Sequence, residues 1–307
     1  MRHVQEKRRR QCYSQLWIYH CEEASQPPAF RGRGQEMKLY HYTTFPGALG
    51  ILGSRSMWAS CIHFLNDKEE FRHGIILASG IAESLIETQG PNGKRLLEKI
   101  IQILPALARN FVCVASFAED GDLLSQWRGY AVPGGVSLGF QKSALEAAAE
   151  LHGFKLLKCI YGDRDKVDLI TDYLNMFLQN IETLENAESK DIWNLAEGWV
   201  AAFHVYASSF KDQSFAEENE WRLISDPIPI DHSQVAVRPG PGLPIPYFDL
   251  PLQQATVDRQ IDLGLDSIVI GPHREQELAE NALRIAAATK NIRVEKFTRS
   301  AIPYRSV

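Results

Sequence analysis

Between residues 38 and 297 the apolar positions switch repeatedly between strand and helix spacing. Leu39 to Tyr42 reads as a short strand and Phe45 to Leu52 as a short helix, with Thr44 placed to cap it. Ser56 to Ser60 is a second strand. Asp67 to Thr88 carries Phe71, Ile75, Ala78, Ile81, Ala82 and Leu85 on one helical face, and Leu96 to Leu107 repeats the pattern. Phe111 to Phe117 and Val136 to Phe140 are β-rich. Two longer helices follow, one striped by Ile170, Tyr173, Leu174, Phe177, Ile181 and Leu184, the other by Trp199, Val200, Phe203, Tyr206 and Phe210. Strands are expected at Glu220 to Ser225, Ser267 to Ile270 and Ile292 to Phe297, with a helix from Glu275 to about Thr289. Pro227 to Pro251 is rich in Pro and Gly and reads as a long surface loop with edge-strand pieces. Strands scattered among helices without a βαβ rhythm predict an α+β fold.

Residues 1–36 break the pattern. They combine a basic run, Lys7 to Arg10, with a Pro-, Gly- and Arg-rich stretch from Gln26 to Arg33, and no period is sustained. They are expected to be a disordered arm or a mis-assigned start, leaving 37–307 as a single domain. No apolar stretch approaches the roughly 20 residues needed to span a bilayer, and no signal-peptide core follows the basic run.

Composition adds bounds. The chain is 45% hydrophobic and 23% charged, with a formal net charge of −5, so no global basic bias points to nucleic acid. The five cysteines form no C-x-x-C pair, which suits reduced thiols and a cytoplasmic location better than a disulfide framework. Neither a Rossmann nor a P-loop glycine signature is present. Cys61-Ile62-His63 is too short for a metal site, and none is assigned.

Four clusters could carry chemistry, and each alone has a structural explanation. Tyr40-His41-Tyr42-Thr43 is by default a packed strand histidine. Trp127 and Tyr130, just after Ser116-Phe117, share a helical face and suit core anchoring as well as ring stacking. In Glu217-Glu218-Asn219-Glu220-Trp221-Arg222, a core-facing Trp221 and Leu223 would turn Glu220 and Arg222 to a cleft or to solvent. Asn66 to Glu70 is explained by helix capping.

Taken together and in order, His41-Tyr42-Thr43, Ser116-Phe117 with Trp127 and Tyr130, and Asn219-Glu220-Trp221 resemble the ADP-ribosyltransferase superfamily. The chain also resembles an uncharacterised bacterial domain family across nearly all of 37–307, at His41 to Thr43, Asn66 to Glu70, Ser116-Phe117, Trp127 to Ala131, Gly134 to Val136, Glu220 to Arg222 and Pro303 to Arg305. The transferase resemblance implies a split, mixed and antiparallel sheet core with flanking and inserted helices. It implies NAD as substrate, cleaved at the nicotinamide–ribose bond, with ADP-ribose passed to an unidentified protein, nucleic acid or small molecule. His41 and Glu220 would be catalytic, His41 on a ribose hydroxyl and Glu220 stabilising the cationic sugar. Tyr42, Thr43, Ser116, Phe117, Trp127 and Tyr130 would bind NAD: the Tyr42 backbone on the carboxamide, Trp127 or Tyr130 on the ring, Ser116 behind Glu220. Glu218 receives no role. The same fold also serves as an inactive nucleotide-sensing or protein-binding module. A metal-dependent hydrolase built from Asp67, Glu70 and Glu220 is a third reading.

Overall fold

A computed structural model describes residues 36–65, 68–131, 134–182, 187–240, 242–252 and 255–303. The expected N-terminal arm lies outside them but for its last residue, as do Asn66, Asp67, Tyr304 and Arg305. In chain order the elements are β1 (Lys38–Thr44), α1 (Phe45–Ser54), β2 (Ser56–Cys61), α2 (Lys68–Leu85), α3 (Pro91–Ile103), β3 (Cys113–Phe117), α4 (Leu124–Tyr130), β4 (Gly135–Gln141), α5 (Lys142–His152) and β5 (Phe154–Lys158). They continue with α6 (Asp163–Glu182), α7 (Ser189–Ser209), β6 (Trp221–Ser225), β7 (Val235–Arg238), β8 (Ile245–Pro251), β9 (Ala255–Val257), β10 (Gln260–Asp262), β11 (Leu265–Ile270), α8 (Gln276–Thr289) and β12 (Lys296–Arg299). The fold is α+β.

The chain divides into two compact units. One takes residues 70–109 and 162–207 and is helical, built from α2, α3, α6 and most of α7. Its centre is an aromatic stack in which Trp199 lies 4.6 Å from Phe203 and 5.5 Å from Tyr173, ring centroid to centroid.

The other unit takes residues 36–69, 110–161 and 208–307. It holds a four-stranded sheet, β1-β4-β11-β12, and a six-stranded antiparallel sheet, β5-β6-β3-β2-β8-β7. In the smaller sheet only β11 and β12 run parallel. The sheets join at one bridge, where the backbones of Tyr40 and Ala118 exchange hydrogen bonds of 2.8 and 2.9 Å. Leu39, Leu138, Phe140 and Ile268 of the smaller sheet share a core with Met57, Cys113, Phe117, Leu223 and Leu250 of the larger, closed by Leu52, Leu145 and Leu283 from α1, α5 and α8.

Alternation gives the larger sheet two unlike faces. Ladder partners share a face, so the pairings Ser60↔Val114, Ser116↔Arg222, Trp58↔Asp249 and Ser60↔Tyr247 place these residues together, with Glu220 and Arg238. The residues between them form the apolar face. The close pairing of β1 with β4 depends on Gly135, where a Cβ would stand 2.2 Å from the Thr43 carbonyl oxygen.

Several elements depart from expectation. α5 and β5 were not read from the sequence. The stretch read as a loop with edge pieces contains β8, a seven-residue strand between β2 and β7. Its prolines fit because of parity. The Asp249 amide bonds toward the β7 side at 2.9 Å, so the Pro251 nitrogen also faces that side, past the end of the β7 ladder. The Pro246 nitrogen faces β2, past the end of that ladder.

Candidate functional site

The polar face of the larger sheet opens into a cleft of about 560 Å³. β1 lines one wall and α1 follows it, with the Thr44 hydroxyl accepting from the Gly47 amide at 3.3 Å. His41, Tyr42, Thr43, Ser116, Phe117, Tyr130 and Glu220 all line this cleft.

The register of β1 decides which way its backbone faces. The Tyr40 amide and carbonyl bond Ala118, while the Met37 carbonyl accepts from the Lys142 amide at 2.9 Å beyond the β4 end. Odd-numbered residues therefore bond β4, and the amide and carbonyl of Tyr42 turn away from it, to the side on which Tyr40 meets Ala118. This leaves a donor and an acceptor side by side on the cleft wall. The Tyr42 side chain is buried: its hydroxyl donates to the Asp120 carbonyl and accepts from the Leu123 amide, both at 2.8 Å. Burial pushes the phenol pKa up.

His41 Nδ1 lies 3.0 Å from the Ser116 carbonyl oxygen. A carbonyl only accepts, so Nδ1 carries the proton and Nε2 is left as an acceptor. Burial lowers the imidazole pKa, and the hydrogen bond to Ser116 opposes it only in part.

Glu220 sits immediately before β6 in a buried ionic cluster. Asn219 takes the left-handed conformation (φ 41), which asparagine tolerates better than most residues. This turn brings Glu218 and Glu220 to the same cation. Lys211 Nζ donates to Glu218 Oε2 and to Glu220 Oε2, and Arg222 Nε donates to Glu220 Oε1 at 2.7 Å. Arg222 also donates to the Ser208 carbonyl at 2.8 Å, and the Glu220 amide donates to the Tyr161 hydroxyl at 2.8 Å. Burial pushes the Glu220 carboxyl pKa up, but Arg222 and Lys211 outweigh it and hold the group at about 2.

The structure separates the candidates the sequence grouped. Trp127 does not line the cleft. Its ring is buried, edge-on to Tyr42 at 4.7 Å, and its indole nitrogen donates to Asp122 Oδ1 at 2.8 Å, so it anchors α4 to the core. Tyr130, one turn on, is half-exposed in the cleft. Ser116 stands opposite Arg222 in the β3–β6 ladder, whereas the groups that hold the Glu220 carboxylate are Lys211 and Arg222. Glu218, given no role from sequence, lines the cleft and shares Lys211 with Glu220. Leu223 faces the core. Trp221, on the same face, is half-buried and donates to Glu119 Oε1 at 2.8 Å.

Sequence reasoning also missed Lys211, Trp58, Arg238 and Asp249, the last three lining the cleft at its other end. No local motif marks them; only strand pairing brings them in. Of the carboxylates in the hydrolase reading, Asp67 lies outside the described residues and Glu70 belongs to the helical unit, while Glu220 belongs to the other. Among the described residues no group of His, Cys, Asp and Glu is arranged to hold a metal ion, and no helix is long and apolar enough to cross a membrane.

Residues 126–223 match the model of a family described as a protein of unknown function, DUF2971. The matched stretch includes Trp127, Tyr130, Lys211, Glu218, Glu220 and Arg222, but neither β1 nor Arg238. No curated protein and no solved structure matches the chain.

Proposed function

We propose that the cleft binds NAD and that the chain is an ADP-ribosyltransferase-like enzyme. One observation carries this reading: His41, the outward-facing backbone of Tyr42 and Glu220, far apart in sequence, line one cleft. Their chemistry is complementary to the nicotinamide riboside half of NAD. The Tyr42 amide and carbonyl match the oxygen and NH₂ of the carboxamide. Tyr130 offers a ring for stacking. His41 Nε2 accepts from a ribose hydroxyl. Glu220, anionic at neutral pH, stabilises the sugar as positive charge develops. The C1′–N bond breaks with its electron pair going to nicotinamide. The acceptor's nucleophilic atom bonds C1′ and releases its proton to a base. A carboxylate offers about four lone-pair sites. Three are taken by Lys211 Nζ, Arg222 Nε and the longer contact to Arg222 Nη2, which leaves one for a hydroxyl.

A second reading, nucleotide binding without cleavage, draws on the same cluster. Two cations against Glu220 offset the negative charge that bond breaking requires.

The test is to incubate the full chain with NAD, measure free nicotinamide, and titrate NAD binding by calorimetry. The transferase reading expects release that falls about a hundred- to a thousandfold in Glu220→Gln with affinity kept. Binding without release selects the second reading. No binding rejects both.

A further inference from the structure

The far end of the cleft contains a cation without a carboxylate partner. Arg238 ends β7 and reaches across β8 to β2, where Nη2 donates to Ser60 Oγ at 3.1 Å. Its guanidinium carbon lies 5.6 Å from the centre of the Trp58 ring. Among the described residues no carboxylate lies within ion-pairing distance of it, and its Nε is buried without a hydrogen-bond partner. Arg222, on the same face of the same sheet, is by contrast paired with Glu220. A half-buried guanidinium loses hydration that only an anion or several acceptors restore. Here the ring face and one hydroxyl restore part of it.

The surroundings narrow what that anion belongs to. Trp58 is 49% exposed although it lines the cleft, and its ring is tilted against Tyr247 at 4.8 Å. A half-exposed indole steadied by a neighbouring ring and lining a cleft offers a stacking surface for a flat ring. Asp249, opposite Trp58 in the ladder, accepts from Ser56 Oγ at 2.6 Å and retains lone pairs for hydroxyl donors. A fork for a phosphate, a ring for a base and a carboxylate for sugar hydroxyls therefore stand together at one end of the cleft.

We propose that Arg238, Ser60, Trp58 and Asp249 form a subsite for a nucleoside 5′-phosphate, with the phosphate on Arg238 and Ser60 and the base on Trp58. The spacing agrees with the rest of the cleft. Ser60 is two strands from the Glu220 strand, about 10 Å at a strand spacing of about 4.8 Å. That is the scale of the separation between a sugar and a phosphate group further along one dinucleotide. The same chemistry could come from the adenylate half of NAD or from a separate nucleotide.

AMP is the probe, titrated into the full chain by calorimetry. The expected result is binding that weakens about ten- to a hundredfold in Arg238→Gln, as loss of charge-assisted hydrogen bonds requires. Arg238→Lys, which keeps the charge but loses the fork, falls in between. Trp58→Leu weakens AMP more than it weakens inorganic phosphate. Thermal melts establish that each variant is folded; if Arg238→Gln is not, Arg238→Lys and Trp58→Leu decide. AMP that competes with NAD identifies the adenylate half as occupant, and AMP that binds together with NAD identifies a separate nucleotide. No AMP binding, or equal binding by wild type and folded variants, overturns the subsite. Nicotinamide release does not enter this test, so the subsite stands or falls apart from the transferase reading.

Discussion

The Lys211 ammonium and the Glu220 carboxylate pair in the interior, with side chains 2% and 6% exposed. Glu218 shares the same ammonium. One cation thus carries two carboxylates, and Arg222 supplies the second positive charge. Such a group adds little to stability when intact, because desolvation offsets attraction, yet breaking it leaves an uncompensated buried charge.

Lys211→Met is therefore expected to destabilise the sheet unit by about 3–5 kcal/mol. Urea denaturation followed by tryptophan fluorescence measures it. Adding Glu218→Gln should recover part of the loss, since one surplus carboxylate is then neutral. A Lys211→Met chain as stable as wild type would show that the cluster is not held by this pair.

The cluster also sets an acid limit. In the unfolded chain the Glu220 carboxyl titrates near its ordinary 4.5, and in the fold near 2. Between these values the unfolded state binds more protons, so stability falls as pH is lowered. The contribution of Glu220 is full above about pH 4.5 and is lost as pH drops toward 2. His41 acts earlier and in the same direction. Its folded pKa lies below 6.5 because burial disfavours the charged ring, so stability begins to fall once pH drops below 6.5. Stability measured from pH 7.5 to 2.5 should show a flatter lower limb in Glu220→Gln and a flatter upper limb in His41→Gln. Wild-type slopes retained in both variants would contradict these shifts.

Given no role from the sequence and two positions upstream of Glu220, Glu218 would make Glu218→Gln the control for Glu220→Gln. Its place on Lys211 removes that use. Neutralising Glu218 frees Lys211 to bind Glu220 alone, which draws more of the Glu220 charge. Nicotinamide release, if present, should fall in Glu218→Gln, but less than in Glu220→Gln. An exposed acid in the same unit, Glu275, is the suitable control.

Local signals made β1, α1 and β6 readable: a two-residue period, a Thr cap before Pro46, and an apolar Leu223 beside charged neighbours. β8 was hidden because its prolines suit a strand only where neighbouring ladders end, and that depends on partners far away in sequence. The same distance hid half of the cleft. Ser60 meets Tyr247 and Arg238 only through pairing across nearly 190 positions, and nothing around Arg238 in the sequence marks it as half-buried. Lys211 was missed for another reason. A lone lysine after an apolar helix reads as a solvated end, and its burial follows from two carboxylates that a left-handed Asn219 turns toward it.

Trp127 and Tyr130, one helical turn apart on α4, separate into different jobs. Trp127 fills space between Tyr42 and Gly271, where a Cβ on the glycine would stand 2.8 Å from the indole ring. Trp127→Ala leaves a large cavity and removes the indole hydrogen bond to Asp122, so a loss of about 3–5 kcal/mol is expected. Tyr130 is 48% exposed, so Tyr130→Ala should change stability by no more than about 1 kcal/mol. Its effect belongs to binding. A ring pair is worth about 0.5–1.5 kcal/mol, which corresponds to about a two- to tenfold loss of affinity for NAD. Tyr130→Phe should retain that affinity, because the stacking surface remains. Chemical denaturation and NAD calorimetry on the three variants give the two axes. If Tyr130→Ala binds NAD as the wild type does, the nicotinamide ring is not stacked there. If Trp127→Ala keeps full stability, α4 is not anchored as its contacts indicate.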